Sequence, residues 1–252
     1  MRLKDATKGR VRIDSRNNLR DHTLDGILIW NRAAIPYGSS PVADDHAAAA
    51  ALMEEFGDDA AHIRAVARRL CSARTRGELG EILSDEVQRF SLFELQVIGG
   101  RMYAEVEKLP SPYRERIRPY FAEQLFGAHH RLLAMQKDGE LGRMRSVVTD
   151  PETFVGFCRM LPLGCFSWDD QSERNPHFRN PRNRLFYYLM AAFSMFVLDE
   201  PGHPVGMPFP GGFEVEKRAD GYYCLIRDRE KEIFYSICNF CPAKQTEENK
   251  KI

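Results

Sequence analysis

Leu185-Phe186-Tyr187-Tyr188-Leu189-Met190-Ala191-Ala192-Phe193-Ser194-Met195-Phe196-Val197-Leu198 carries almost no polar face. A helix at a protein surface pairs an apolar stripe with a charged back, whereas a helix that is apolar nearly all round is buried. The segment therefore predicts the central helix of a mainly α-helical, bundle-like body, with the other helices set around it. Its Met and Phe side chains read as packing groups rather than as a cofactor box. The run is too short to span a bilayer.

Upstream of this core, the chain marks its helix starts locally. Thr75 with Glu78 and Ser91 with Glu94 each form a capping box, in which the hydroxyl and the carboxylate satisfy each other's orphan backbone N–H groups. Ser111-Pro112 and Asp150-Pro151 each place a cap before a first-turn proline. After Ser111, the residues Ile117, Phe121, Leu125, Ala128, Leu132 and Met135 recur at steps of four and three, the stripe of a helix packed along one side of a bundle. Gly99-Gly100 sits inside a helical pattern and reads as a point of close helix packing. Six or seven helices are expected in all.

Residues 1–42 differ in kind. Lys4, Lys8, Arg10, Arg12, Arg16 and Arg20 recur there with little apolar periodicity, and a Pro/Gly/Ser stretch closes the segment. It reads as a flexible basic arm. Aromatic residues for base stacking are almost absent from it, so nucleic acid is not the expected partner. The whole chain balances 36 basic against 36 acidic residues, which leaves no global field to draw it to nucleic acid or anionic lipid. With 43% hydrophobic residues, 252 residues can fill a substantial core. The N-terminal residues lack the apolar stretch of a secretory signal, and the expected location is the cytoplasm. There, six cysteines serve as thiols and metal ligands rather than as three disulfides.

Downstream of Asp199 the grammar changes to Pro201, Gly202, Pro204, Gly206, Pro208, Pro210, Gly211 and Gly212, an ordered, turn-rich loop without helix or strand. A hairpin is expected next. Phe213 and Val215 alternate with Glu214 and Glu216, Asp220-Gly221 supplies the turn, and Tyr222 to Ile226 forms the return strand. Three of the six cysteines follow closely: Cys224, then Cys238-Asn239-Phe240-Cys241. A Cys-x-x-Cys turn offers two thiolates at a bite suited to a tetrahedral ion, and Cys224 on the return strand is placed to close over it. Structural zinc sites are closed by four donors, so one more is needed. His203, in the rigid loop that feeds the hairpin, is the preferred fourth ligand, and Cys165, at a helix exit, is the alternative.

Zinc suits a three-cysteine set with long gaps, and an iron–sulfur cluster is the rival cofactor. A dithiol redox role for Cys238 and Cys241 needs a helix after the motif, and only Pro242-Ala243-Lys244-Gln245 and a polar tail follow. His129-His130 lies mid-helix, where successive side chains diverge by about 100°, so the pair does not converge on one ion. The segment Gln171 to Arg184 carries four arginines against one acid and is a candidate holder of a small anion, with solvated loop charge as the plainer reading. No nucleophile elbow, dinucleotide fingerprint or His-Glu-x-x-His pattern is present.

His203-Pro204-Val205-Gly206, Pro208-Phe209-Pro210-Gly211-Gly212, Tyr222-Tyr223-Cys224 and Cys238-Asn239-Phe240-Cys241-Pro242 together resemble the C-terminal signature of an uncharacterised protein family of methanogenic archaea. The resemblance covers about residues 201–245. It implies an archaeal intracellular protein with a cysteine motif and no assigned activity, and a methanogen-like origin favours the cluster more than spacing alone does. The organisation expected is an arm (1–42), a helical body (43–200), a Pro/Gly loop with hairpin and cysteine cluster (201–245) and a polar tail (246–252). The expected function is that of a binding or regulatory protein with a structural zinc, acting on a protein partner or a small anion. An iron–sulfur redox or accessory protein is the alternative.

Overall fold

Both capping boxes form in the computed structural model, which describes residues 49–51, 53–167 and 180–246. The N-terminal arm, the arginine-rich residues 171–179 and the end of the tail lie outside the described residues. Helix α1 runs Gly57–Cys71 and α2 Arg76–Val87. At the start of α2, Glu78 N donates to Thr75 Oγ1 at 3.1 Å and Thr75 N to Glu78 Oε2 at 3.3 Å. Helix α3, Leu92–Glu107, repeats the device, with Glu94 N to Ser91 Oγ at 3.2 Å and Ser91 N to Glu94 Oε2 at 2.8 Å. These local exchanges satisfy donors that no helical carbonyl reaches.

The expected cap at Ser111 is not used. Helix α4, Tyr113–Ala122, starts one residue later, with Pro112 at the N-cap position and no side-chain cap. The Arg114 N–H instead finds Pro110 O at 3.0 Å. A π-helical turn, Glu123–Gly127, joins α4 to α5, Ala128–Lys137. The apolar stripe survives this insertion, for Ile117, Phe121, Leu125, Ala128 and Leu132 are all buried. Helix α6, Pro151–Cys165, is capped by Asp150 Oδ1, which accepts from Thr153 N at 3.1 Å. Helix α7, Pro181–Ala192, continues into a second π turn, Phe193–Val197. Leu185 to Phe193 is buried without a break, and α7 packs against α1, α2, α6 and the first π turn. Seven α-helices are thus present among the described residues.

Glycine decides one close approach. A Cβ on Gly77 would overlap Leu141 O and stand 2.7 Å from Met144 O, and both are backbone atoms of the turn that α2 packs on. Gly80 faces only the Leu141 side chain, at 2.6 Å. Gly77→Ala is therefore expected to cost at least about 2 kcal/mol, because a backbone cannot step aside, and Gly80→Ala distinctly less. Urea denaturation of the two variants checks this; equal midpoints would show that the 141–144 turn yields.

After α7 the chain builds two small sheets. Strand β1, Pro208–Phe209, pairs with β2, Phe213–Glu214, through a turn holding Gly211 at φ 88° and Gly212 at φ 82°. That region of backbone space is open to glycine at little cost. The hairpin expected further on is real but shifted. Its outgoing strand is β3, Glu216–Arg218, not Phe213–Glu216, and its return strand is β4, Gly221–Cys224. Phe213 pairs instead with Phe209 of β1, a strand that lies inside the stretch expected to be loop. A last strand, β5, Lys244–Gln245, adds to β4 in parallel. No helix among the described residues is long and apolar enough to cross a membrane.

Candidate functional site

The β4–β5 pairing is what seats the cysteine motif. Tyr223 lies opposite Lys244 and Cys224 opposite Gln245, so Cys241, three residues before β5, is carried to the side of Cys224. Gln245 clamps the junction, donating from Nε2 to Leu225 O at 2.9 Å while its Oε1 accepts the Asp228 N–H at 2.9 Å. Cys238 sits on the 3₁₀ turn Ile237–Phe240, where Ser236 Oγ accepts its N–H at 3.3 Å. This turn packs on α6, and Phe240 meets Phe157 edge to face at 5.5 Å between centroids.

All three thiols are buried. Burial pushes Cys224 up to about 11, opposed by the backbone amides of Ile226 and Arg227 and reinforced by Cys241. Cys238 is driven well above the usual thiol range by burial, then by Cys241, Glu230 and Cys224. For Cys241, burial again raises the pKa, while the amides of Ala243 and Gly202 and the charge of Arg227 pull it down. The three sulfurs thus lie within electrostatic reach of one another. Two of them already face backbone N–H groups, which favour a thiolate. Among the described residues, however, no three His, Cys, Asp or Glu side chains are set as a ready-made metal cradle. The donor chemistry suits a soft divalent ion such as zinc; the geometry is not closed around one.

Neither candidate fourth ligand is drawn in electrostatically. The His203 ring is buried and stands edge-on to Phe209 at 6.0 Å. Burial alone pushes its imidazole down to about 4, and no thiol contributes. Its neighbour Gly202 supplies the amide that reaches Cys241, and Gly202 O in turn accepts from Gln124 Nε2 at 2.9 Å. Cys165 ends α6 and is raised by burial, with Arg184 rather than the other thiols beside it. Sequence reasoning missed Glu230 and Arg227. In the run Arg227-Asp228-Arg229-Glu230 each reads as solvated charge, yet Glu230 is 3% exposed and acts on Cys238. Arg227 also donates from Nε to Cys241 O at 3.4 Å.

A sequence profile described as an uncharacterized protein conserved in archaea, DUF2115, matches residues 75–246, from the capping box of α2 to the end of β5. The chain belongs to this family. The match extends well beyond the C-terminal 201–245 stretch that carried the resemblance, so the helical body is as much a part of the family as the cysteine segment. Among similar proteins, a UPF0305 protein of Methanopyrus kandleri is 39% identical over 144 residues, covering 55% of this chain and 88% of the relative. A UPF0305 protein of Methanocaldococcus jannaschii is 23% identical over 180 residues, covering 69% of this chain and 98% of the relative. No solved structure matches.

Proposed function

We propose that this protein is a binding or regulatory protein whose C-terminal segment is clipped together by a structural zinc, held by Cys224, Cys238 and Cys241 with His203 as the fourth donor. The observation that supports it is the set of backbone amides around two buried thiols: Ile226 and Arg227 on Cys224, Ala243 and Gly202 on Cys241. Three of these amides come two or three residues after their cysteine and the fourth, Gly202, from the upstream loop; all stabilise the thiolate, the form a metal requires, and so lessen the cost of deprotonating a buried group. Bound zinc would supply a crosslink between the β4 end, the Cys-x-x-Cys turn and the Gly202–His203 loop, and no redox chemistry. The body would then present a protein or small-anion surface whose C-terminal part depends on the metal.

Metal analysis and an anaerobic visible spectrum of the purified protein test this first. One zinc per chain and a colourless solution are expected; a brown solution with visible absorption would instead favour an iron–sulfur cluster on the same thiols. The double variant Cys238→Ser, Cys241→Ser is expected to lose the metal, keep its far-UV circular dichroism and be cleaved faster after about residue 200, because the apolar helices keep their burial without the ion. Protein that takes up no metal after anaerobic reconstitution would overturn the proposal.

A further inference from the structure

The two π turns face a common cavity. Glu123 and Gln124, from the first, and Ser194, from the second, line a cleft of about 310 Å³ that the Pro201–Val205 loop and the β3–β4 hairpin close from the other side. A π turn inserts an extra residue that the α-helical ladder does not need, and such insertions are frequent at functional sites. The bond from Leu198 N to Phe193 O, 3.1 Å, shows the widened turn directly. Just past the second π turn, between the lining residues Leu198 and Glu200, lies a second irregularity: Asp199, a non-glycine residue at φ 61°, held by Arg76 at 3.2 Å. Strained backbone of this kind persists where its surroundings fix it, and it clusters at binding sites.

The charges on the walls narrow the ligand. Arg131 and Glu200 neutralise each other, with Nη1 at 3.2 and 3.0 Å from the two carboxylate oxygens. That leaves Glu123, which makes no ion pair among the described residues, and Lys217, whose ammonium stands 5.5 Å over the Tyr222 ring. A polyanion such as a nucleotide gains nothing from walls with as many acids as bases. A divalent cation meets two ammonium or guanidinium groups beside two carboxylates. A wholly apolar molecule would strip water from the Glu123 carboxylate and the Lys217 ammonium and give neither a partner in return. What matches is a molecule carrying one charge of each sign on a small apolar body, facing Leu198, Pro204 and the 43%-exposed Val205. The volume lies at the small end of the roughly 300–1,000 Å³ that ligand pockets occupy.

We infer that this cleft binds a small zwitterion of the free amino-acid class, its ammonium toward Glu123 and its carboxylate toward Lys217. The inference uses none of the thiols and stands whether or not they hold a metal. The common free amino acids are screened by thermal shift against the full chain, and the best is titrated by calorimetry alongside its N-acetyl and amide derivatives. Blocking either end is expected to weaken binding at least about tenfold, and so are Glu123→Gln and Lys217→Met, whose exposed side chains leave the unliganded protein folded. No binding of any amino acid up to about 10 mM, or a blocked derivative binding as tightly as the zwitterion, would overturn it.

Discussion

Phe157→Ala is expected to destabilise the protein by about 3–5 kcal/mol, the cost of emptying a large, fully enclosed aromatic site. The Phe157 side chain has 0% exposure. Its ring meets three others edge to face: Tyr188 at 6.2 Å, Phe196 at 5.3 Å and Phe240 at 5.5 Å. Each comes from a different part of the chain: α7, the second π turn and the cysteine motif. Beside it, Gly156 lets Phe240 come close, for a Cβ there would already stand 3.4 Å from that ring. Removing the Phe157 ring should therefore lower stability and detach the cysteine segment at once. Phe154 supplies the control, because it is nearly as buried but touches Phe196 and not Phe240 among the ring contacts. Both variants should lower the urea midpoint; only Phe157→Ala should speed native-state cleavage between about residues 236 and 246 relative to the rest of the chain. A loss below about 1 kcal/mol would mean that the surrounding rings collapse to fill the space.

What the sequence made readable was whatever depends on neighbours in the chain. Thr75, Glu78, Ser91 and Glu94 build their capping boxes within three residues, and Asp150 caps α6 across the same span. The stripe from Ile117 to Leu132 announced its buried face because helical periodicity is local too. The π turns inside that stripe and after Ala192 were invisible for the same reason. One inserted residue shifts the hydrogen-bond ladder but leaves the steps of three and four nearly intact, so the pattern still reads as a single helix. Gly99-Gly100 was half legible: Gly99 does take the Phe126 ring, which would lie 3.4 Å from a Cβ, while Gly100 has nothing within 4 Å.

Long-range pairing explains the remaining differences. A two-residue strand such as β5 has no periodicity to detect, and Lys244-Gln245 looks like the start of a polar tail; yet its register with β4 decides that Cys241 lies beside Cys224. The cysteine spacing singles out this segment without revealing how the thiols stand. Sequence proximity alone favours His203 over Cys165, whereas the structure gives the two different surroundings. Cys165 belongs with Arg184 and Tyr188, whose hydroxyl donates to Tyr235 O at 2.9 Å, while His203 shares a loop with the Gly202 amide that reaches Cys241. The described end of the arginine-rich segment is similarly committed to structure: Arg182 pairs with Glu94 at 3.0 Å, and Arg184 lies over the Tyr235 ring at 5.5 Å.

His203 should make the metal-free protein lose stability as the solution is acidified from about pH 6.5 to about pH 4. Burial holds its folded-state pKa down at about 4, against a usual 6.5 in the unfolded chain. Between those values the unfolded state binds a proton that the folded state refuses, so unfolding takes up a proton and stability rises with pH. The contribution is fully present above pH 6.5, fades as the pH falls through the window and is gone below about 4, where both states are charged. Its full size is about 3 kcal/mol, an order-of-magnitude figure from roughly 1.4 kcal/mol per pH unit across the window. Other groups titrate in the same range. His129, also lowered by burial and then by the neighbouring His130, acts in the same direction, and carboxylates such as Asp150 and Asp228, whose pKa values are lowered, also lose stabilising interactions as they are protonated. The decisive quantity is therefore the difference between the parent and His203→Gln, which keeps a polar side chain in the loop but does not titrate. Urea unfolding of both in the presence of a chelator should give free-energy curves that diverge by about 3 kcal/mol between pH 4 and pH 7, the parent having the steeper slope. Parallel curves would show that water reaches the imidazole and that the Pro201–Val205 loop opens on its own, leaving His203 free to charge where it stands.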